Sequence, residues 1–180
     1  MSTATPIAAG AQLLPEIPFV EVGQRIGLET FLLQRAVAHN LLDAAAAGTP
    51  RFGLRLADKI SRAWLARTGH PYLAEIDEVA AALGRPGGHF FNVHYEWGCT
   101  TGVKSSEDGR SARLLRVLDW ATNGLGRHIV AARSRGPAGD YVSLTWPGFT
   151  GVLQGMAPGR FSAALNQAPM DNPIGYLPVD

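Results

Sequence analysis

Cys99 is the single cysteine of the 180-residue chain and stands between Gly98 and Thr100. Glycine before it leaves the Gly98 carbonyl unshielded, so the neighbouring thiol can attack it in an N→S acyl shift. Water then releases the resulting thioester and leaves a piece that begins at Cys99. Its freed α-amine, with a pKa of roughly 7.7–8, can accept the thiol proton, so that one residue supplies both nucleophile and base. A lone cysteine is also commonly a small buried hydrophobe. Both readings stand at this point, and Gly98 before the cysteine and the polar Thr100 and Thr101 after it count against the buried one without removing it.

A charged pair lies within reach of Cys99. The stretch SSEDGR, with Asp108 and Gly109 at its centre, predicts a hairpin turn that brings the residues around Arg116 and Asp119 opposite Cys99–Thr101. Three positions apart on a regular strand, Arg116 and Asp119 would face opposite sides. The strand must therefore bend or end near Leu118 for both to reach one site, and an ordinary strand-edge ion pair explains the two equally well. The five histidines, His39, His70, His89, His94 and His128, show neither metal-ligand spacing nor a triad pattern and read as surface or loop residues. No metal and no cofactor is implied.

The elements that must position these residues change character near Gly84–Gly88. Before it the apolar spacing is helical: one stripe runs over 28–42, a second helix over 54–67 puts Leu56, Ile60, Ala63 and Trp64 on one face, and a third covers 72–83. The first twenty-odd residues, with Pro6, Pro15 and Pro18, predict an extended arm. After Gly88 the pattern is β, with strands over 90–97, 100–104, 114–120, 127–133, 141–146, 150–156 and 160–166. The whole predicts an α+β chain, a helical first half followed by an antiparallel meander.

Composition sets bounds. Hydrophobic residues make up 46% and charged ones 17%, which reads as a soluble globular protein. A formal net charge of +1 with scattered arginines argues against a nucleic-acid or membrane-surface partner. The first ten residues lack the charged and apolar regions of a signal peptide, and no apolar run has the length of a membrane span. With one cysteine and hence no internal disulfide, a cytoplasmic location is the expectation.

Cys99-Thr100-Thr101 followed by Leu115-Arg116-Val117-Leu118-Asp119-Trp120 resembles the nucleophile strand and the Arg-x-x-Asp strand of the choloylglycine hydrolase superfamily of cysteine N-terminal-nucleophile (Ntn) hydrolases. The block from Phe149 to Asn166, through Gly151-Val152-Leu153, Pro158-Gly159, Phe161-Ser162 and Leu165-Asn166, is similar to the acid ceramidase and N-acylethanolamine acid amidase branch. Phe91-Asn92 and Tyr95-Glu96 also look like that branch. Order and spacing agree from about residue 90 to 166.

The resemblance implies an αββα sandwich, with residues 1–98 as a helical pro-segment or α-subunit and 99–180 as the start of the catalytic region. It implies self-cleavage between Gly98 and Cys99, two pieces that stay associated, and possible homo-oligomers. The implied reaction is hydrolysis of a linear, non-peptide N-acyl amide through a thioester on Cys99. Cys99 would be nucleophile and base, Asp119 would orient the α-ammonium, and Arg116 would stand beside the sulfur. Asn166 would be an oxyanion-hole or substrate-orienting donor, and Trp146, Pro147 and Phe149 would line the apolar side of the pocket, although aromatic core explains these residues too.

Three features depart from the pattern. Gln167 stands where the lipid amidases tend to place glutamate, and the Gly98–Cys99 pair is more like the penicillin acyltransferase branch. Relatives also continue past the position of Asp180, so the chain reads as C-terminally truncated and its sandwich as incomplete. An acyltransferase or penicillin acylase using the same site, and a catalytically silent binding domain, are the alternatives.

Overall fold

The computed structural model describes residues 16–93, 99–118, 124–137 and 139–166. The fold is mixed α+β. Among the described residues five helices, α1 (Ile26–Leu33), α2 (Arg35–Ala45), α3 (Arg51–Thr68), α4 (Leu73–Leu83) and α5 (Gly88–Phe91), accompany seven strands. The strands are β1 (Phe19–Val22), β2 (Cys99–Ser105), β3 (Ala112–Leu118), β4 (Val130–Ser134), β5 (Tyr141–Thr145), β6 (Gln154–Ala157) and β7 (Phe161–Ala164). Five of them form one sheet in the order β1-β4-β5-β6-β7, and β2 and β3 form a separate hairpin.

The expected meander is present as β4 to β7, all antiparallel. The expected N-terminal arm is different: Phe19–Val22 pairs in parallel with Ala131–Ser134 and forms the sheet's first edge. One face of the sheet is buried along alternate positions, Val130, Ala132 and Ser134 on β4 and Ser143 and Thr145 on β5. Val22 and Ala132 on that face meet Ile26 of α1. The helices have their own core of Phe31, Ala38, Leu42, Val79 and Leu83.

The predicted 28–42 helix is two helices. Gln34, at φ −128° and ψ 41°, leaves helical geometry between them, and the turn before it is held by the Thr30 hydroxyl donating to the Ile26 and Gly27 carbonyls. Glu29 reaches back to accept the backbone N–H groups of Gly23 and Arg25, tying the end of β1 to α1. Gly69 and Gly84 stop α3 and α4 in the left-handed conformation that glycine adopts without a Cβ penalty.

Helix α3 is turned differently from the sequence expectation. Leu54, Ser61 and Leu65 face inward, while Leu56 and Ile60 are more than half exposed. The reason lies in Asp58, on the inward face. Its carboxylate accepts the backbone N–H groups of Gly87, His89 and Phe90, each at 2.9 Å. These are donors of the first turn of α5, which a helix cannot satisfy internally. The same contacts make Phe90 and Phe91 helical rather than the start of a strand over 90–97. The other shortened strands are 127–133, which opens with a 3-10 turn at Leu125–His128, and 150–156, of which only Gln154–Ala157 is extended.

His89 joins this cluster, so it is not a simple surface residue. Its Nε2 lies 2.8 Å from Asp77 Oδ1 and its Nδ1 3.8 Å from Asp58, and Arg62 grips Asp77 in a bidentate pair at 2.7 and 2.8 Å. Asp58 raises the His89 pKa above the ordinary imidazole value against the opposing effect of burial, and Asp77 adds to the rise. Burial pushes Asp58 up, but the nearby His89 imidazole and hydrogen bonds from the backbone of Gly87 and Phe90 outweigh it and hold the carboxyl below its ordinary value.

The signs define a window. A lowered carboxyl contributes stability above its unfolded pKa of about 3.9, and a raised imidazole contributes fully below about 6.5. Between these values the cluster stabilises most. As pH rises through the folded pKa of His89, stability is expected to fall by up to one proton's worth, about 1.4 kcal/mol per pH unit. Urea melts of wild type and His89→Gln across pH 5–9 check this: the variant should lose that slope, and an unchanged slope would assign it to another group.

Candidate functional site

The β2–β3 hairpin turns at Asp108 and Gly109, where the Ser106 N–H donates to the Ser111 carbonyl and Gly109 has φ 67°. The register places Cys99 opposite Leu118, Thr101 opposite Arg116 and Val103 opposite Leu114. Cys99, Thr101 and Arg116 therefore share one face, with Arg116 on the diagonal from Cys99. The diagonal is short enough for a long side chain, and Arg116 Nη2 donates to Cys99 Sγ at 3.0 Å. Arg116 Nε is buried with no hydrogen-bond partner among the described residues.

Cys99 is half-buried and packs against a cluster of Leu41, Trp146, Phe149 and Leu153, with Phe91, Leu125 and Leu165 around it. Trp146 and Phe149 are each 1% exposed. Their rings meet each other and Phe91 at centroid distances of 5.8 to 6.1 Å. The Trp146 indole N–H donates to the Leu125 carbonyl. Both aromatics are thus core residues behind Cys99. Each also lines a cavity: Trp146 one of 220 Å³ with Leu42, Phe90 and Leu125, and Phe149 one of 460 Å³ with His70, Tyr141 and Phe161. Cys99 lines neither.

Asn166 is exposed and follows β7. Its Nδ2 donates to the Thr101 hydroxyl rather than to the sulfur, which brings it to the Cys99 face two residues along β2. Gly98 and Asp119 lie outside the described residues, as does His94. Of the expected site residues, the structure thus gathers Cys99, Arg116 and Asn166 along one strand face and sets Trp146 and Phe149 behind the first of them. Among the described residues no group of three His, Cys, Asp or Glu could hold a metal ion.

Sequence reasoning did not single out what fixes the wall behind Cys99. Asn92 is 1% exposed; its Nδ2 donates to the carbonyls of Gly88 and Gly148, and its Oδ1 accepts from Thr150 N–H and hydroxyl. The sequence marked Asn92 only as part of the Phe91-Asn92 likeness, with no role attached. His70 lies in the loop between α3 and α4, in line with the surface-or-loop expectation, but is buried there, its Nδ1 accepting the Tyr72 N–H.

Comparison with family models, with characterised proteins and with solved structures gave no match. The geometry around Cys99 therefore stands on its own.

A guanidinium N–H directed at sulfur is placed to stabilise negative charge there. Arg116→Gln is expected to slow alkylation of Cys99 by iodoacetamide about tenfold at neutral pH, with little change in melting temperature. Equal rates in the folded variant would mean the contact does not act on the thiol.

Proposed function

We propose that the chain is a cysteine amide hydrolase of the N-terminal-nucleophile type, related in its site to the choloylglycine hydrolase superfamily and acting on linear N-acyl amides. The observation that carries the reading is the 3.0 Å contact from Arg116 Nη2 to a half-buried Cys99 Sγ at the first residue of a strand. A buried structural cysteine has no need of a cation directed at its sulfur.

In this reading the thiol attacks the Gly98 carbonyl, the Gly98–Cys99 C–N bond breaks, and the α-amine of Cys99 is freed as the thioester forms. Water hydrolyses the thioester, giving a Gly98 carboxylate and a free thiol. In turnover the α-amine takes the thiol proton, sulfur attacks the substrate's amide carbonyl, and the ammonium returns the proton to the leaving amine. Water then attacks the acyl thioester, releases the carboxylic acid and restores the thiol. Asp119 orients the ammonium, Arg116 holds the sulfur, and Asn166 orients the substrate from its place beside Thr101. The helices and the five-stranded sheet would be two layers of an αββα sandwich, with the hairpin belonging to the next.

Purified protein is expected to resolve by intact-mass measurement into residues 1–98 and a piece beginning at Cys99. Cys99→Ala should remain one chain. A wild type that stays intact on prolonged incubation overturns the proposal, and full cleavage of Cys99→Ala assigns the cut to an outside protease.

A further inference from the structure

Helix α3 carries two parallel stripes on its outer side. Phe52, Leu56 and Ile60, four residues apart, are 76%, 56% and 61% exposed, and exposed Ala63 continues the row. Arg51, Arg55, Lys59 and Arg62 repeat the same spacing one residue earlier and are exposed as well. On a helix of 3.6 residues per turn the cations therefore run side by side with the apolar row. Arg62 is tied to Asp77, but Arg51, Arg55 and Lys59 make no ion pair among the described residues. The one acidic residue of α3, Asp58, faces inward to hold α5.

We infer that the outer face of α3 docks on an anionic lipid bilayer, lying in the interface with its apolar row in the acyl boundary and its cations on the headgroups. The helix is already fixed on its other side by Leu54, Asp58 and Leu65, so the face is preformed and binding need not fold it. An apolar stripe flanked by lysine and arginine is the pattern of interfacial helices. A second copy of the chain is a poorer occupant, because α3 offers no outward carboxylate to receive a partner's cation row. No helix among the described residues is long and apolar enough to cross a membrane, so this surface would rest on the bilayer. The net charge of +1, which argued against such a partner, conceals the patch because the balancing acids lie elsewhere.

The test is co-sedimentation of the full chain with phosphatidylcholine vesicles, with and without phosphatidylserine, at low and high salt. Wild type should bind the anionic vesicles, with release at high salt. Arg51→Gln/Arg55→Gln/Lys59→Gln should bind about a hundredfold more weakly, at roughly fivefold per cation. Leu56→Ser/Ile60→Ser should bind at least tenfold more weakly yet keep its salt dependence. All five positions are exposed, and unchanged melting temperatures confirm folding. Absence of wild-type binding, or equal binding by the cation variant, overturns the inference. So does a wild-type dimer in light scattering that the Leu56→Ser/Ile60→Ser variant dissolves without any vesicle binding.

Discussion

The Asn92 carboxamide spends its full hydrogen-bonding capacity, two donors and two acceptor positions, on groups drawn from both halves of the chain. A buried amide left unpaired costs roughly 1–3 kcal/mol for each group, so this joint can close in one way only. It sets the Gly148–Thr150 backbone against the end of α5, and Trp146 and Phe149 follow from that placement because they flank the joint. Gly27 shows how tight the fit is: a Cβ there would lie 2.8 Å from the Thr150 methyl. The wall that Cys99 packs against is therefore a consequence of one side chain's polar accounting as much as of apolar burial.

The hairpin is held by fewer ties. Cys99 anchors its start in the Trp146 cluster, Asn166 bonds Thr101, and β3 lies beside β7. Its other face is open, with Leu115 and Val117 largely exposed. The tight end of the hairpin is thus the end that carries the sulfur and the guanidinium. Geometry at Cys99 is set by packed core on one side and by the diagonal pairing of Arg116 on the other, while the far turn bears little on it.

What was legible in the sequence follows interaction range. The hairpin and its register could be read because turn chemistry at Asp108-Gly109 and strand alternation act within twenty residues, and Arg116 falls near Cys99 for that reason. The parallel pairing of Phe19–Val22 with β4 could not, since its partner lies over a hundred residues away and a four-residue strand carries almost no pattern of its own. The same holds for Phe90 and Phe91. Aromatic residues in a row suggest a strand, and only the Asp58 carboxylate, arriving from α3, supplies the donors' partner that makes them helical. His89 was unreadable by spacing because its two carboxylates come from different helices.

Helix α3 shows where counting apolar residues fails. Two stripes competed for the interior: Leu56, Ile60, Ala63 and Trp64 hold more apolar surface than Leu54, Asp58, Ser61 and Leu65. Hydrophobic burial alone, at about 25 cal/mol per Å², would turn the first stripe inward. Doing so would expose Asp58 and leave three backbone N–H groups at the start of α5 without acceptors, and it would also break the link through His89 to Asp77 and Arg62. Each orphaned donor costs on the order of 1–3 kcal/mol, together about as much as the burial of two or three aliphatic side chains returns at roughly 1.5–3 kcal/mol each. The rotation would also expose Leu54 and Leu65, now buried. The polar face therefore wins the interior, and the apolar row is left outside, beside the cations. A sequence reading that weighed an acid at an inward-capable position as heavily as a leucine would have chosen the observed phase.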